Sequence, residues 1–520
     1  MKALRARLFE DLSMIDVEIE KVASTLLLKR QRDEIQESID DFNIILAPVR
    51  CLSVDVLSVI LNYCLATHRD PIMSSSEAPI LLTHICRDWR SIALSTPRLW
   101  SRLCLPPLET AGPFTFLVKC TTAHCEEVQR WLRLSTACPL SITIWLDKDF
   151  LNQRLLDSII QSSSRWQKLK LSHLDRDSSK IILSLSADDL CMLRELRLGS
   201  LGYTCWGYKW YKCALFTTPS LRSISVACVG NELFKGIPSN WKNLNQLLIH
   251  TPTIAKLANK LLCHCHNLVS CVLQICGPWD NNDTMATLGY SFLPEYSFLP
   301  LLEFISLRGD YEGCNELYRR IDAPSLRHLD CEGGLPREND SEDSEPGMFS
   351  LLRSIICNSL ETLVISYPHL TRENAINYYN LTPSLKRLVL GEPLFTWLSR
   401  FADSKGCQQV ITPLYETKNS SSLDSVPTFL LPSLEVFEVY GIKDVNDSVL
   451  LEFITTRIDA TKSSTGVPKL RKVVVGLERP RAIDNIVPQA LAYAQAAGME
   501  LKLKLKYEGE FDHKTITPQS

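Results

Sequence analysis

A six-residue phrase, L-x-x-L-x-L in outline and often introduced by Pro, returns eleven times along this chain and constrains its fold more than any other feature. It reads WQKLKL at Trp166, LRELRL at Leu193, LRSISV at Leu221, LNQLLI at Leu244 and LVSCVL at Leu268, with starts 23 to 28 residues apart. It continues as LEFISL at Leu302, LRHLDC at Leu326, LETLVI at Leu360, LKRLVL at Leu385, LEVFEV at Leu434 and LRKVVV at Leu470, with starts 24 to 49 apart. On a strand the side chains alternate, so the fourth and sixth positions share a face, and the first joins them inward. An inward Leu contributes roughly 1.5–3 kcal/mol when fully buried, but one strand alone cannot bury it. Neighbouring phrases must therefore stack. The pattern predicts an α+β chain whose greater part, residues 106–508, is a curved α/β solenoid with a parallel sheet, irregular in repeat length and interrupted by insertions.

Both ends of the array carry their own signals. At the near end residues 126–144 read EEVQRWLRLSTACPLSITI. At the far end a helix is expected over Val487 to Ala497. A last strand follows over Glu500 to Tyr507, with Leu501, Leu503, Leu505 and Tyr507 on one side and Lys502, Lys504 and Lys506 guarding the edge. The tail from residue 509 to 520 is expected to be disordered. Two insertions stand out: the acidic stretch Glu332 to Gly347 with Ser341 and Ser344, and the Ser-rich stretch Glu416 to Ser425. Both suit solvated surface loops, and phosphorylation sites are the functional alternative.

Ahead of the array lie two helical stretches. In residues 47–65, APVRCLSVDVLSVILNYCL, Ser53 can cap a helix with Asp55 in its first turn and Val56, Ile60 and Cys64 repeating every four residues. In residues 80–105, ILLTHICRDWRSIALSTPRLWSRLCL, one amphipathic helix opened by Pro79 would align Leu82, Ile85, Trp89 and Ile92. The chain then breaks at Ser95-Thr96-Pro97, and Leu99 and Trp100 supply the next apolar contacts. Residues 66–79 form a long connection.

These residues resemble the F-box, the helical module by which substrate receptors dock onto the Skp-type adaptor of cullin–RING ubiquitin ligases. The match rests on Leu52, Val56, Leu57 and Ile60, on Ile85-Cys86-Arg87-Asp88-Trp89-Arg90, and on Pro97-Arg98-Leu99-Trp100. The family usually opens with Leu-Pro and an acidic residue, where this chain has Leu52-Ser53-Val54. The strand phrases resemble leucine-rich repeats, although the Asn or Cys that often follows in that family is mostly absent. Together they are similar to F-box proteins with irregular leucine-rich repeats, of the type expanded in basidiomycete fungi. The resemblance implies an F-box domain over 47–105, a leucine-rich-repeat-like solenoid over 106–508, and Leu52, Val56, Leu57, Ile60, Leu82, Ile85, Trp89, Leu99 and Trp100 as box core or adaptor surface. Residues 126–144 match a bridge of such fungal proteins, which implies a helix through Val128, Trp131 and Leu132, then Pro139 and a first strand that caps the array. It also implies a non-catalytic role as the substrate-recognition subunit of such a ligase, needing no cofactor, with the Skp-type adaptor, the cullin–RING ligase behind it and a protein target as partners. The alternative is an interaction scaffold with a degenerate box.

Residues 1–46 repeat apolar positions with heptad spacing at Leu8, Leu12, Ile15, Ile19, Val22 and Leu26, and again at Ile35, Ile39, Phe42 and Leu46 after a phase slip across Lys29 to Glu34. Either a self-associating coiled coil or a helix folded back on its own chain would use this pattern.

The outward middle residues of the strand phrases read Lys170, Arg197, Ser225, Leu248, Val272, Ser306, Asp330, Val364, Val389, Glu438 and Val474. Leu248, Val272, Val364, Val389 and Val474 make an apolar strip expected to hold a protein target, unless C-terminal insertions cover it.

A net charge of -3 and a pI near 6.4 give no reason to expect nucleic acid as a partner. The N-terminus MKALRARLFEDL lacks the apolar core of a signal peptide, and no stretch approaches the roughly 18 uncharged apolar residues of a membrane span. Nineteen scattered cysteines then suit a reducing compartment, cytoplasmic or nuclear. Cys263-His264-Cys265-His266 lacks the spaced pairs of a zinc site, so no metal is expected there. Neither G-x-S-x-G, GxxxxGK[ST], HExxH nor GxGxxG occurs.

Overall fold

A computed structural model describes residues 2–45, 52–105, 122–145, 153–172, 180–182, 184–199, 212–227, 237–276, 296–333, 347–355, 359–365, 370–391, 411–414, 430–442, 445–463, 470–477 and 486–506. The chain divides into two compact units: Met1–Arg102 with Arg133–Thr136, and Leu103–Leu132 with Ala137–Ser520.

The first unit is helical. Helix α1 (Lys2–Ile45) runs unbroken through the expected phase slip, and its described apolar side chains, Leu12 to Leu26 in the seam and Ile35 beyond it, are exposed. The side chains of Leu8, Ile39 and Phe42, and the whole of Leu46, lie outside the described residues. Helix α2 (Val54–Tyr63) begins where expected: Ser53 is extended at φ -63 and ψ 153, and its Oγ accepts the Val56 N–H at 3.4 Å. Residues 80–95 form two helices rather than the single one expected, α3 (Leu82–Ile85) and α4 (Arg87–Ser95). The break is at Cys86, extended at φ -156 and ψ 174, whose Sγ accepts the Trp89 N–H at 3.5 Å and so caps α4. Arg90 Nε crosses the break to the Thr83 carbonyl at 2.7 Å. A 3-10 turn, Pro97–Trp100, closes the module after the expected stop at Thr96.

The second unit is built on β-structure. Its strands are β1 (Arg102–Leu105), β2 (Leu140–Trp145), β3 (Trp166–Ser172), β4 (Glu195–Leu198), β5 (Ser223–Val226), β6 (Gln246–Thr253), β7 (Ser270–Ile275) and β8 (Ser297–Phe298). There follow β9 (Phe304–Gly309), β10 (Ile321–Asp322), β11 (His328–Gly333), β12 (Thr362–Ile365), β13 (Arg387–Leu390), β14 (Val436–Ile442), β15 (Lys472–Leu477) and β16 (Lys502–Lys506). All except β8 and β10 form one fourteen-stranded sheet in which spatial order equals chain order, and every register from β2 onward is parallel. Strand β1 precedes the strand expected to come first and lies inside the stretch assigned to the helical module. Large parallel sheet and interspersed helices make an α/β unit.

The phrase dictates this arrangement residue by residue. First, fourth and sixth positions are buried in all eleven phrases, from Trp166, Leu169 and Leu171 to Leu470, Val473 and Val475. The registers align them strand to strand, as Leu363 with Leu329 and Leu388, so that inward side chains form continuous rows. Serine supplies a polar link between phrases. Ser220, Ser359 and Ser384, each just before a phrase, donate to the carbonyls of Leu193, Leu326 and Leu360 at 2.8, 2.9 and 3.2 Å, the opening residues of the preceding phrases. At Gly309 the backbone has φ +118, and an added Cβ would meet the Ile275 carbonyl oxygen at 2.0 Å. Only glycine permits that approach.

Helix α5 (Thr122–Leu134) buries Val128, Trp131 and Leu132. The expected C-terminal helix is Ile486–Ala496. In β16, Leu501 is buried just before the strand, Leu503 and Leu505 are half-buried, and Lys502 and Lys504 are exposed. Tyr507, the tail from 509, Ser341, Ser344 and the stretch 416–425 lie outside the described residues. Among the described residues no helix is long and apolar enough to cross a membrane.

Candidate functional site

Helix α2 has two apolar faces, and only one is used internally. Leu57 and Leu61 are buried, joined by Leu65 just beyond the helix. With them in the core are Leu82, Ala93, Leu99 and Trp100, and the Trp100 indole N–H donates to the Ala93 carbonyl at 2.8 Å. The opposite stripe, Leu52, Val56, Val59, Ile60 and Tyr63, is exposed, with Val56 at 47% and Ile60 at 38%. The four-residue repeat Val56, Ile60, Cys64 is thus the outward one. Ile85, expected on one face with Leu82, is 52% exposed although both lie on α3, ahead of the break at Cys86.

Sequence leaves open which of nine box positions form core and which surface, and the structure divides them. Leu57, Leu82, Leu99 and Trp100 are core; Leu52, Val56, Ile60 and Ile85 are surface; Trp89 is half-buried. Val59, Tyr63 and Leu81, exposed and apolar, were missed, although the i+3 and i+7 spacing of Val59 and Tyr63 from Val56 carries the signal. A stripe of apolar residues left open on one helix makes this face the candidate interaction surface, since an isolated exposed Val or Ile is ordinary but a stripe is not.

The 66–79 connection supports this module. Arg69 grips the Glu77 carboxylate with both terminal nitrogens, at 3.0 and 2.6 Å, and Arg102 reaches the Asp70 carboxylate at 2.9 Å and the Ala66 and Arg69 carbonyls at 3.1 and 2.6 Å. These charge-assisted bonds fix a segment that apolar packing alone would leave loose.

On the sheet, the outward face is more polar and more closed than expected. Val389 and Val474, expected on an open strip, are buried at 1% and 7%, whereas Leu248, Val272 and Val364 are half-buried. Between those two valines Glu438 is buried too, yet its carboxylate accepts from Lys472 Nζ at 2.7 Å, Arg387 Nη2 at 3.1 Å and the Tyr440 hydroxyl at 3.0 Å. Burial alone would raise its pKa, and the two cations outweigh that and hold it below the usual carboxylate range. Glu195 repeats the motif with Lys168 at 2.8 Å and Arg197 at 2.7 Å. Asp330 takes Ser306 and Arg308 on Oδ2, while its buried Oδ1 has no partner among the described residues. Acids on this face are therefore neutralised in place, and Lys170, Lys502 and Lys504 leave a surplus of positive charge at both ends.

Cys263, His264, Cys265 and His266 do not converge. Cys265 is buried, its thiol pushed up to about 12 by burial, while His264 and His266 are exposed. Among the described residues no group of His, Cys, Asp and Glu is arranged to hold a metal ion.

No family model matches the sequence, and no curated protein matches it.

Proposed function

We propose that this chain is the substrate-recognition subunit of a ubiquitin ligase of the Skp–cullin–F-box type. In this reading α2, α3 and α4 are an F-box that docks the Skp-type adaptor, and the strand array is a leucine-rich-repeat-like solenoid that holds a protein target. Ubiquitin transfer belongs to the other subunits, so this chain supplies no catalytic step and needs no cofactor. Its contribution is proximity: holding the target raises its effective concentration near activated ubiquitin. The observation that carries the reading is the exposed apolar stripe Leu52, Val56, Ile60 and Tyr63 on a helix whose other side is packed on Leu57 and Leu61. Half-buried Leu248, Val272 and Val364, with bases in surplus at either end of the same face, favour a target segment that combines apolar and acidic residues.

The test is a pull-down of the full chain with purified Skp-type adaptor. Val56→Asp with Ile60→Asp should abolish binding without moving the melting temperature, because both side chains already face water. If the folded wild-type chain does not bind, or the double variant binds unchanged, the ligase reading fails and a protein-holding scaffold replaces it.

A further inference from the structure

Helix α1 displays an apolar seam along a continuous 44-residue helix, and its described seam residues, Leu12, Ile15, Ile19, Val22, Leu26, Leu28 and Ile35, are each half to two-thirds exposed. We infer that the partner of this seam is α1 of a second copy, lying antiparallel with the two-fold axis between Ala23 and Ser24.

The heptad phase gives the register. Leu12, Ile19 and Leu26 occupy a positions, with Ile15 and Val22 at d, whereas Leu28 and Ile35 occupy d positions of a frame displaced by one residue. An unbroken coiled coil would be interrupted by that slip. In an antiparallel pair about this axis, each N-terminal half meets the other copy's C-terminal half, and Leu12, Ile15, Ile19 and Val22 each face an a or d position of the displaced frame, while Leu26 lies opposite Lys21 at the edge of the seam. Leu12 then meets Ile35, Ile19 meets Leu28, and Val22 meets Thr25, each twice by symmetry. Ile15 meets Arg32, whose aliphatic stem covers it.

Charge selects this arrangement over the parallel one. Glu10 to Glu20 holds five acids and no base, and Lys29 to Arg32 holds three bases. Antiparallel pairing sets Asp16 against the Lys29 of the second copy, twice. In-register parallel pairing instead sets Asp11 against Asp16, a like-charge contact made twice. Opposite charges flanking the seam favour a coiled coil, and like charges oppose it. Asp16 and Lys29 form no ion pair within the chain among the described residues.

The experiment uses the full chain. Sedimentation should show a monomer–dimer equilibrium, and Ile19→Asp with Leu28→Asp should leave monomer only, with the same thermal melt. Carbodiimide treatment of mixed light and heavy-isotope chains should join Asp16 of one copy to Lys29 of another. Within one helix these residues are about 20 Å apart and cannot be linked directly. Asp16→Lys should raise the dimer dissociation constant roughly tenfold, and adding Lys29→Asp should restore it. A chain monomeric at about 100 μM, a dimer that survives the double aspartate variant, or isotope-mixed Glu18–Lys21 links in place of Asp16–Lys29 links would each overturn the inference.

Discussion

Glu438 shows how much a single side chain can depend on its neighbours. Buried on the outward face of β14, it is tolerated as a carboxylate because Lys472, Arg387 and Tyr440 together satisfy both oxygens. Its pKa in the folded chain is below the ordinary value, so its contribution to stability is complete above the usual carboxylate range and is lost as pH falls through the depressed value. Glu438→Gln should cost about 1–3 kcal/mol at neutral pH, a difference that shrinks as pH falls below the usual carboxylate range. Urea titrations of both proteins at several pH values measure it, and a pH-independent difference would refute the account. Nothing local in the sequence marks this residue. Tyr440 stands two residues along the same strand, but Lys472 and Arg387 come from the strands on either side, and only the register brings them to it.

At the scale of elements, helix starts and stops were the most legible features. Ser53 caps α2, and Pro97 opens the turn after α4. These signals act over three or four residues, which is why sequence suffices. Faces were less legible. Val56, Ile60 and Leu57, Leu61 are equally apolar pairs on α2, and which pair is core depends on what α4 and the 3-10 turn bring against it. The split of residues 80–95 was missed because Cys86 is not a residue type that signals a break. The serine links between phrases belong to this scale too. Ser359→Ala removes a donor to the Leu326 carbonyl and should cost about 1 kcal/mol, read as a lowered urea midpoint with an unchanged slope. No change would mean that backbone bonds carry the junction alone.

Across the whole molecule, stability in the second unit rests on stacking, since each phrase buries its leucines only against the phrases before and after it. Position in the sheet should therefore matter more than residue type. Leu363→Ala, with strands on both sides and the side chain fully buried, should cost about 2–5 kcal/mol. Leu503→Ala on the terminal strand, half-buried and paired on one side, should cost less than half as much, and equal losses in thermal melts would contradict the stacking account.

By itself the amino-acid sequence determined the period-2 strands, the inward rows and their order, because alternation and repetition are local properties that every phrase restates. The tertiary structure alone decided which apolar stripe of α2 is left open, that Val389 and Val474 lie buried, and that Glu438 is clamped by residues 34 and 51 positions away. Burial is a property of what packs against a side chain from a distant part of the chain, and nothing in the side chain's own neighbourhood encodes it.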